Sequence, residues 1–379
     1  MRFEFATATR IVFGEGAAAT LPELVRSFGA RPFVVTGSSR ERASWLVSAL
    51  SAEVLAVPGE PTVDLVRDGA RRARKAACDV VVALGGGSAI NAGKAIACIA
   101  TNGGEPLEFL EVVGKGRVLS AAPLPFIAAP TTAGTGSEVT RNAVLASAEH
   151  GVKASLRSPM MLPRVALVDP ELTYSLPSAA TASTGLDALT QLIEPYVSAR
   201  ANPLADALCV EGIGRAAGAL GRVYRDGMDR QARRDMALAS LFGGLALANA
   251  GLGVVHGFAA PLGGQWNVPH GALCAALLPS MSLFDFIAND MRQSFQPSPD
   301  STPYEAVEPQ QSIYETTPDL NALDGQNKLD AIASARMDWR EPDDVPSEQL
   351  NQILWRNAMN TEFPSWKRHS VAFQMPAAR

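Results

Sequence analysis

Three side chains of types that bind divalent metals fall in apolar, helix-forming surroundings. Asp187 lies in STGLDALTQLIEPY, His256 in GVVHGF and His270 in VPHGAL. The chain has only four histidines, and these two fall in a stretch, 236–284, that contains no Asp, Glu, Lys or Arg. A carboxylate and two imidazoles from separate helices suit a divalent metal and make these three residues the candidate catalytic groups. The alternative for each histidine is a hydrogen-bonded core or helix-capping residue.

A glycine-rich turn, Gly85-Gly86-Gly87-Ser88, follows the apolar run DVVVAL. It separates a predicted strand at 79–84 from a predicted helix at 89–100. Glycines let a phosphate approach the backbone, and a helix N-terminus supplies free N–H groups and the positive end of a dipole. The spacing matches neither a Walker A loop nor GxGxxG. The turn therefore predicts a phosphate site, with simple chain reversal as the alternative.

A second polar loop, PTTAGTGSEVT at 130–140, also follows a predicted strand. The carboxyl ends of parallel strands meet at one edge of the sheet, where such folds bind ligands. The hydroxyls and glycines of this loop are therefore expected beside those of the first one. A Ser/Thr-rich surface loop without a ligand is the alternative.

The elements that must position these residues alternate between strand and helix over the first 170 residues. Alternation of this kind indicates a parallel sheet covered on both faces. From residue 178 onwards only helices are predicted. The predicted strands are 32–35, 48–57 (at its end), 79–84, 124–129 and 165–168, and the predicted helices are 179–200, 204–220, 230–250 and 270–283.

A change in composition near residue 290 marks a boundary. Beyond it the only glycine is Gly325, whereas Pro and Gln become frequent. We predict an α/β dinucleotide-binding domain at 1–177, a helical catalytic domain at 178–290, and an atypical Pro/Gln-rich tail with weak helices at 291–379.

Overall composition excludes several classes of protein. The 379 residues carry a net charge of -5, which argues against a nucleic-acid binder. Four cysteines do not make a disulfide framework and favour a reducing compartment. Residues 1–10 hold no apolar run typical of a signal peptide, and glycines and polar residues interrupt the uncharged stretch before it reaches the length of a membrane span. A cytoplasmic enzyme, plausible as a homodimer, is expected.

Together, these motifs resemble the iron-containing alcohol dehydrogenase family, in particular its maleylacetate reductase-like branch. The resemblance covers about residues 8–285. It rests on FGEGAAATLPEL at 13–24, the GGGS loop with Lys94, PTTAGTGSEVT at 130–140, VDPELT at 168–173, and HGFAAPLGG with VPHG at 256–271.

The resemblance implies a Rossmann-like α/β domain followed by an all-α domain, as in dehydroquinate synthase, with the active site between them. The glycine loop would hold the pyrophosphate, the second loop would line the nicotinamide and phosphate side, and Lys153 would reach the ribose. Asp187, Gln191, His256 and His270 occupy the positions of the family's metal ligands for Fe²⁺ or Zn²⁺. The candidate cofactor-binding residues are Gly37, Ser38, Gly85, Gly86, Gly87, Ser88, Asn91, Thr131, Thr132, Thr135, Ser137, Val139 and Lys153.

The sequence departs from the family pattern at three positions of the site. Gln191 stands where the family has a fourth ligand, a His, and a neutral amide is a much poorer ligand than imidazole. Ala260 replaces a further active-site His, and Asn91 replaces the usual Asp after the GGGS loop. Whether a metal is bound is therefore left open at this point.

The second predicted strand ends in Val35-Thr36-Gly37-Ser38-Ser39-Arg40 and lacks the acidic residue that binds the ribose hydroxyls of NAD. Arg40 or Arg42 can pair with the 2′-phosphate of NADP, which favours NADP slightly over NAD. The expected function is hydride transfer between nicotinamide and a small alcohol, aldehyde or ketone. The alternatives are a dehydroquinate synthase-like lyase, which the uncharged stretch disfavours, and a nucleotide-binding relative without catalytic activity.

Overall fold

Short apolar runs of the N-terminal half form a six-stranded parallel sheet in the computed structural model of the chain. Its strands, in spatial order, are β1 (Arg10–Phe13), β8 (Val165–Val168), β5 (Phe126–Pro130), β4 (Val80–Gly85), β2 (Pro32–Thr36) and β3 (Glu53–Ala56). Five of these six match the predicted strands, and β1 is additional. The structure describes residues 2–266 and 268–279, without the side chains of residues 264–266.

Alternate residues of each central strand pack into two different cores, which is why these strands are apolar throughout. Val81 and Ala83 of β4 face α3 (Val63–Lys75) and α4 (Gly87–Asn102). Val80 and Val82 face α1 (Leu21–Arg26) and α2 (Ser44–Leu50). The sheet is therefore covered on both faces, as the alternation of strands and helices predicts.

The strand order reverses between β2 and β4. From β2 the chain goes outward to β3, returns to β4 on the other side of β2, and continues away from it to β5. A crevice forms outside the carboxyl ends of the strands at such a point, and this is where doubly wound folds bind ligands. The Gly85–Ser88 turn leaves the sheet there.

An antiparallel hairpin that the sequence analysis did not anticipate follows β5. It consists of β6 (Asn142–Ser147) and β7 (Val152–Arg157), and α5 (Pro106–Phe109) lies earlier in the chain, between α4 and β5. Burial alternates along β6, and its inward-facing residues join the core beneath α4. The hairpin positions Lys153.

Helices follow the sheet, as predicted. They are α6 (Ser178–Tyr196), α7 (Pro203–Arg225), α8 (Arg230–Ala250), α9 (Val254–Trp266) and α10 (His270–Pro279). The first three pack on one another around a shared apolar core. The sequence analysis did not predict α9, because glycines and Pro261 interrupt its apolar pattern.

Among the described residues, no single helix is long and apolar enough to cross a membrane. Two consecutive helical segments, Arg230–Ala250 and Val254–Gly263, are long and apolar enough only when they are taken together. The angle between them at the break is 101°.

All the described residues belong to one compact unit of the chain. The domain boundaries at 177 and 290 stay predictions. The tail at 291–379 and its weak helices lie outside the described residues, as does the end of the helix predicted to reach residue 283.

Candidate active site

The glycine turn forms the N-terminus of α4. Gly85 is the last residue of β4, Gly86 is the N-cap and Gly87 opens the helix, which begins two residues earlier than predicted. The first N–H groups of a helix have no partner within the helix, and without a Cβ atom a glycine lets another group approach them closely. Gly87 and Ser88 are therefore residues of the first helical turn, and their N–H groups point out of the sheet edge.

No side chain caps this helix. The N-termini of α3, α7 and α8 are capped by Thr62, Asn202 and Asp229, whereas Gly86 offers no side chain to α4. The first turn of α4 also carries no acidic residue. Its positive end is thus not neutralised by a cap or an acidic side chain of its own first turn, which is the condition that anion-binding helix ends share.

The loops after β2, β4 and β5 touch one another at the reversal point. A Cβ atom built on Gly85 would lie 2.9 Å from the Gly37 nitrogen. One on Gly86 would lie 3.2 Å from Thr132 Cγ2, and one on Gly87 would lie 2.8 Å from Thr135 Oγ1. Six predicted cofactor residues therefore surround one cradle, and added side chains would fill it. They are Gly37, Gly85, Gly86, Gly87, Thr132 and Thr135.

The remaining predicted cofactor residues lie around this cradle in different environments. Ser137 donates its hydroxyl to Thr135 Oγ1 at 2.9 Å, and the Thr131 N–H donates to the Gly85 carbonyl at 3.0 Å. Ser38 is exposed after β2, while Ser88 and Asn91 are half-buried on α4.

The side chain of Val139 differs from the others, because it is fully buried in a core with Ala166 and Val168 of β8. It packs against the sheet, so any contact with a cofactor falls to its backbone.

Lys153 lies on β7, with only 11% of its side chain exposed, and forms a 3.0 Å ion pair with Glu60. The charges of both residues act on His270, so they lie beside the histidine cluster. The sequence analysis did not single out Glu60.

The three predicted catalytic residues come together from three helices. His256 Nε2 on α9 lies 3.3 Å from Asp187 Oδ1 on α6, and His270 Nε2 on α10 lies 3.8 Å from the same oxygen. A fourth donor joins them: Cys274 Sγ lies 3.6 Å from His270 Nε2 and 3.8 Å from His256 Nε2. One donor atom from each of these four residues lies within 4.8 Å of the other three.

Glu194 fixes the orientation of His256. Its Oε2 lies 2.5 Å from His256 Nδ1, and its Oε1 accepts the Val255 N–H at 2.6 Å. With Nδ1 held by a carboxylate, Nε2 faces Asp187 and the centre of the cluster, which is the arrangement usual for metal-binding histidines. Glu194 lies on the same face of α6 as Asp187, seven residues on, so the helical spacing could have identified it.

Gln191 lies one turn after Asp187 on α6, and its amide is only partly satisfied. Nε2 donates to the Gly134 carbonyl at 3.3 Å, while the buried Oε1 has no hydrogen-bond partner among the described residues. The amide also lies close enough to Asp187 to lower the pKa of that carboxyl. Ala260, one turn after His256 on α9, is exposed.

Burial and mutual charge set the protonation of the cluster. Burial would raise the pKa of Asp187, but the hydrogen bond from His256 and the charges of both histidines lower it overall. Burial would lower the pKa of His256, yet hydrogen bonds to Asp187, Cys274 and Glu194 raise it well above its usual value. Burial lowers the pKa of His270 more than Asp187 raises it. The cluster therefore holds an ionised carboxylate facing two different imidazoles.

This donor set fits a divalent metal. A carboxylate oxygen, two imidazole nitrogens and a thiol sulfur converge, and each type is a common ligand of Zn²⁺. The Glu194 carboxylate contacts Nδ1 of His256, the ring nitrogen that faces away from the cluster, as in carboxylate–histidine–metal arrangements. Asp187, His256 and His270 would hold the ion, and their role as metal ligands stays a prediction.

The 130–140 loop joins the glycine cradle to the donor cluster. Its Thr132 and Thr135 contact the cradle, while the Gly134 carbonyl accepts the Gln191 amide. A Cβ on Gly134 would also lie 2.7 Å from Thr184 Cβ on α6. The loop therefore links the cradle to the helix that bears Asp187.

Comparisons with known proteins agree with this geometry. The family model for iron-containing alcohol dehydrogenase matches residues 8–170, and the model for the C-terminal part of the same family matches residues 181–294. The 4-hydroxybutyrate dehydrogenase of Cupriavidus necator is 39% identical over 258 residues, covering 66% of this chain and 67% of its own length. The 1,3-propanediol dehydrogenase of Klebsiella pneumoniae is 43% identical over 224 residues, covering 59% and 57%. The chain thus spans roughly half to two thirds of these relatives.

Solved structures show the same architecture. A 1,3-propanediol oxidoreductase has a TM-score of 0.72 and 36% identity, covering 77% of this chain and 78% of its own. The sulfoacetaldehyde reductase of Bifidobacterium kashiwanohense, solved in complex with NAD⁺, has a TM-score of 0.70 and 27% identity, covering 95% and 100%. On the family models, the relatives and the fold, this chain belongs to the iron-containing alcohol dehydrogenase family.

Proposed function

We propose that the protein is an NAD(P)-dependent oxidoreductase that transfers a hydride between C4 of nicotinamide and the carbonyl carbon of a small aldehyde or ketone, or back from the alcohol. The observation that carries this proposal is the 130–140 loop, which contacts both the glycine cradle and the helix that bears Asp187. A dinucleotide bound by its pyrophosphate at the cradle can extend along that loop to the cluster of Asp187, His256 and His270.

Each part of the site has a separate task in this reaction. The uncapped N-terminus of α4 binds the pyrophosphate. The 130–140 loop orients the nicotinamide, and Lys153 binds the ribose hydroxyls, a role that its position near His270 supports. A metal held by Asp187 and the two histidines would supply Lewis-acid polarisation of the carbonyl. The buried surroundings exclude water and strengthen these electrostatic contacts.

We infer use of both nucleotides, with a preference for NADP. The loop after β2 carries no carboxylate that would repel a 2′-phosphate, and Arg40 is exposed there. The Arg42 guanidinium is already engaged with the Ser175 carbonyl at 3.1 Å, so Arg40 is the better candidate. The ratio of kcat/KM for NADPH to that for NADH, and its fall in Arg40→Ala, measure this preference.

The substrate class follows from the lining and from the relatives. Besides Asp187 and Glu194, the charged side chains near the cluster are Lys153 of β7 and Glu60, which pair with each other. The described lining therefore offers few unpaired charges, which suits a short, weakly polar carbonyl compound. Relatives named for 4-hydroxybutyrate and 1,3-propanediol act on short primary alcohols. We propose the same class here. The intact donor cluster and its supporting Glu194 argue against a catalytically inactive relative.

Substitution of Gly86 tests the cofactor site. Gly86 has an ordinary extended backbone, φ −72°, so Gly86→Ala adds only a methyl group, 3.2 Å from Thr132 Cγ2. Gly86→Asp adds a negative charge against the pyrophosphate. We expect Gly86→Asp to raise the Kd for NADPH by about 100-fold or more, which corresponds to about 2.8 kcal/mol, whereas Gly86→Ala changes it only a few-fold. Fluorescence titration of NADPH gives both values.

The control for added charge is Gly218→Asp, on the exposed face of α7 with no atom within 4 Å of its Cβ position. This variant should keep the wild-type Kd. Undiminished NADPH binding by Gly86→Asp would remove the glycine turn from the cofactor site.

A further inference from the structure

We propose that Cys274 is the fourth protein ligand of the metal, in place of the imidazole missing at position 191. The site would then be built from Asp187, His256, His270 and Cys274, and it would select Zn²⁺ over Fe²⁺. This inference deepens the proposed function and rests on the same cluster. It differs from the ligand set that the family resemblance implies, in which position 191 supplies the fourth ligand.

The distances between the donor atoms fit a tetrahedral ion. Zinc bonds of about 2.0–2.1 Å to nitrogen or oxygen and about 2.3 Å to sulfur give donor–donor separations of about 3.3–3.6 Å in a tetrahedron. The structure has 3.3 Å between His256 and Asp187, 3.8 Å between His270 and Asp187, and 3.6 and 3.8 Å from Cys274 Sγ to the two histidines. These four distances need to change by no more than a few tenths of an ångström, and the remaining two pairs of donor atoms lie within 4.8 Å.

The position of Cys274 on α10 directs its side chain toward the cluster. It lies one turn after His270 on α10, so both side chains project from the same face of the helix. The thiol is fully buried, and α10 packs directly on α6, where a Cβ on Gly271 would meet the Ser183 carbonyl at 2.3 Å. The sulfur is therefore shielded from solvent and faces the two imidazoles.

Gln191 is the competing donor, and its chemistry is weaker. Its Nε2 is bound to the Gly134 carbonyl, and its free Oε1 is a neutral amide oxygen. A deprotonated cysteine brings a full negative charge and a polarisable sulfur. Among the atoms that would bind the ion directly, a thiolate and the Asp187 carboxylate together match its charge, whereas an amide would leave Asp187 as the single anionic ligand. The balance favours Cys274.

The ligand type points to the metal. Soft thiolate donors favour zinc, and mixed sites of Cys, His and carboxylate in tetrahedral geometry are typical of it. Four protein ligands leave no vacant tetrahedral position, so a substrate oxygen would enter as a fifth ligand, an expansion that zinc enzymes use.

Cobalt substitution tests the assignment independently of catalysis. The full-length chain is stripped of metal and titrated with Co²⁺, and the near-ultraviolet thiolate-to-cobalt charge-transfer band is recorded. We expect the band in the wild type, its loss in Cys274→Ser, and its retention in Gln191→Ala and in Cys209→Ser, which alters another buried cysteine. Mutation of a residue that only hydrogen-bonds to a metal ligand typically lowers metal affinity about 10–100-fold. Loss of a ligand itself should cost at least as much, so Cys274→Ser should raise the Kd for Zn²⁺ by at least that factor.

A double variant provides rescue. Gln191→His with Cys274→Ser restores an imidazole at the family position, so metal affinity should recover while the charge-transfer band stays absent. X-ray absorption of the zinc-loaded wild type needs no variant and should give one sulfur neighbour at about 2.3 Å. A zinc shell of light atoms only, or an unchanged cobalt band in Cys274→Ser, would overturn the proposal.

These readouts separate the two proposals. A sulfur ligand in a protein that reduces no carbonyl would sustain the ligand assignment and defeat the proposed function. Carbonyl reduction by a protein whose zinc has no sulfur neighbour would sustain the proposed function and defeat the ligand assignment.

Discussion

His256 lies between two carboxylates. Glu194 holds Nδ1 at 2.5 Å, and Asp187 lies 3.3 Å from Nε2. All three side chains are buried, so their mutual attraction is screened far less than at a surface. The two carboxylates raise the pKa of the His256 imidazole strongly, because its proton offsets their negative charge. A divalent cation bound at Nε2 in place of that proton would offset the same negative charge. The residues of the cluster are therefore arranged for a positive charge at their centre.

Glu194→Gln measures the support that this carboxylate gives. The amide keeps an oxygen that can accept from Nδ1 but removes the charge that makes His256 a stronger donor. We expect the Kd for Zn²⁺ to rise about 10–100-fold, measured by competition with a chelator of known affinity. Glu211→Gln, on an exposed ion pair with Arg215 in α7, is the control and should keep the wild-type Kd. Equal affinities of Glu194→Gln and wild type would show that Glu194 has only a structural role.

At the level of elements, the site depends on how closely α8 approaches the 130–140 loop. Gly136 adopts a left-handed backbone, φ +56°, and Gly244 of α8 packs against it. A Cβ on Gly244 would lie 2.4 Å from the Gly136 carbonyl oxygen and 2.7 Å from its Cα. Both neighbours are backbone atoms, so neither can move without shifting the loop that contacts the cofactor cradle.

Gly244→Ala therefore disturbs two properties together. Overpacking against backbone should lower the free energy of unfolding by about 1–3 kcal/mol, in spite of the better helix propensity of alanine. The displaced loop should also weaken NADPH binding. Gly214→Ala is the matched control, because its Cβ meets no atom within 4 Å on an exposed face of α7. It should stabilise the protein by about 0.5–1 kcal/mol. Urea unfolding gives the free energy of unfolding of both variants. A change of the same sign in both would contradict the close approach of α8 to the 130–140 loop.

The sequence predicted elements with strong apolar patterns and missed those with weak ones. The run 79–84 is apolar throughout and forms β4, and α8 has the predicted bounds, 230–250. The strands of the hairpin β6–β7 bury only alternate residues and so lack a continuous apolar run, and Pro261 with neighbouring glycines obscures α9. Helical spacing could have marked Glu194, seven residues after Asp187, and Cys274, four residues after His270, as lying on the faces that bear the predicted ligands. That these faces meet at one cluster depends on contacts between helices, which no local pattern reveals.

The departures at Gln191 and Ala260 were visible in the sequence, but their consequence was not. Without structure, the loss of a family ligand left metal binding open. The structure adds a buried thiol on another helix to the same cluster. Compensation of this kind needs the distance between α6 and α10, which the sequence does not contain.

At the scale of the whole molecule, the described residues form one continuous path from the strand reversal between β2 and β4 to the helical cluster. The same architecture occurs in solved relatives that cover three quarters or more of this chain. The cofactor preference, the cytoplasmic location and the homodimer stay predictions. The central claim is that this path carries a hydride from a nicotinamide to a carbonyl carbon.

Isotope transfer tests that claim most directly. The purified full chain is loaded with zinc and incubated with NADPH or NADH carrying deuterium at C4, in separate samples for each face of the ring, together with short-chain aldehydes. The alcohol products are then examined by mass spectrometry. We predict one deuterium on the carbinol carbon from one face only, because the cradle and the 130–140 loop fix the orientation of the ring. Alcohol without deuterium from either face, or no alcohol although the nucleotide binds, would contradict it.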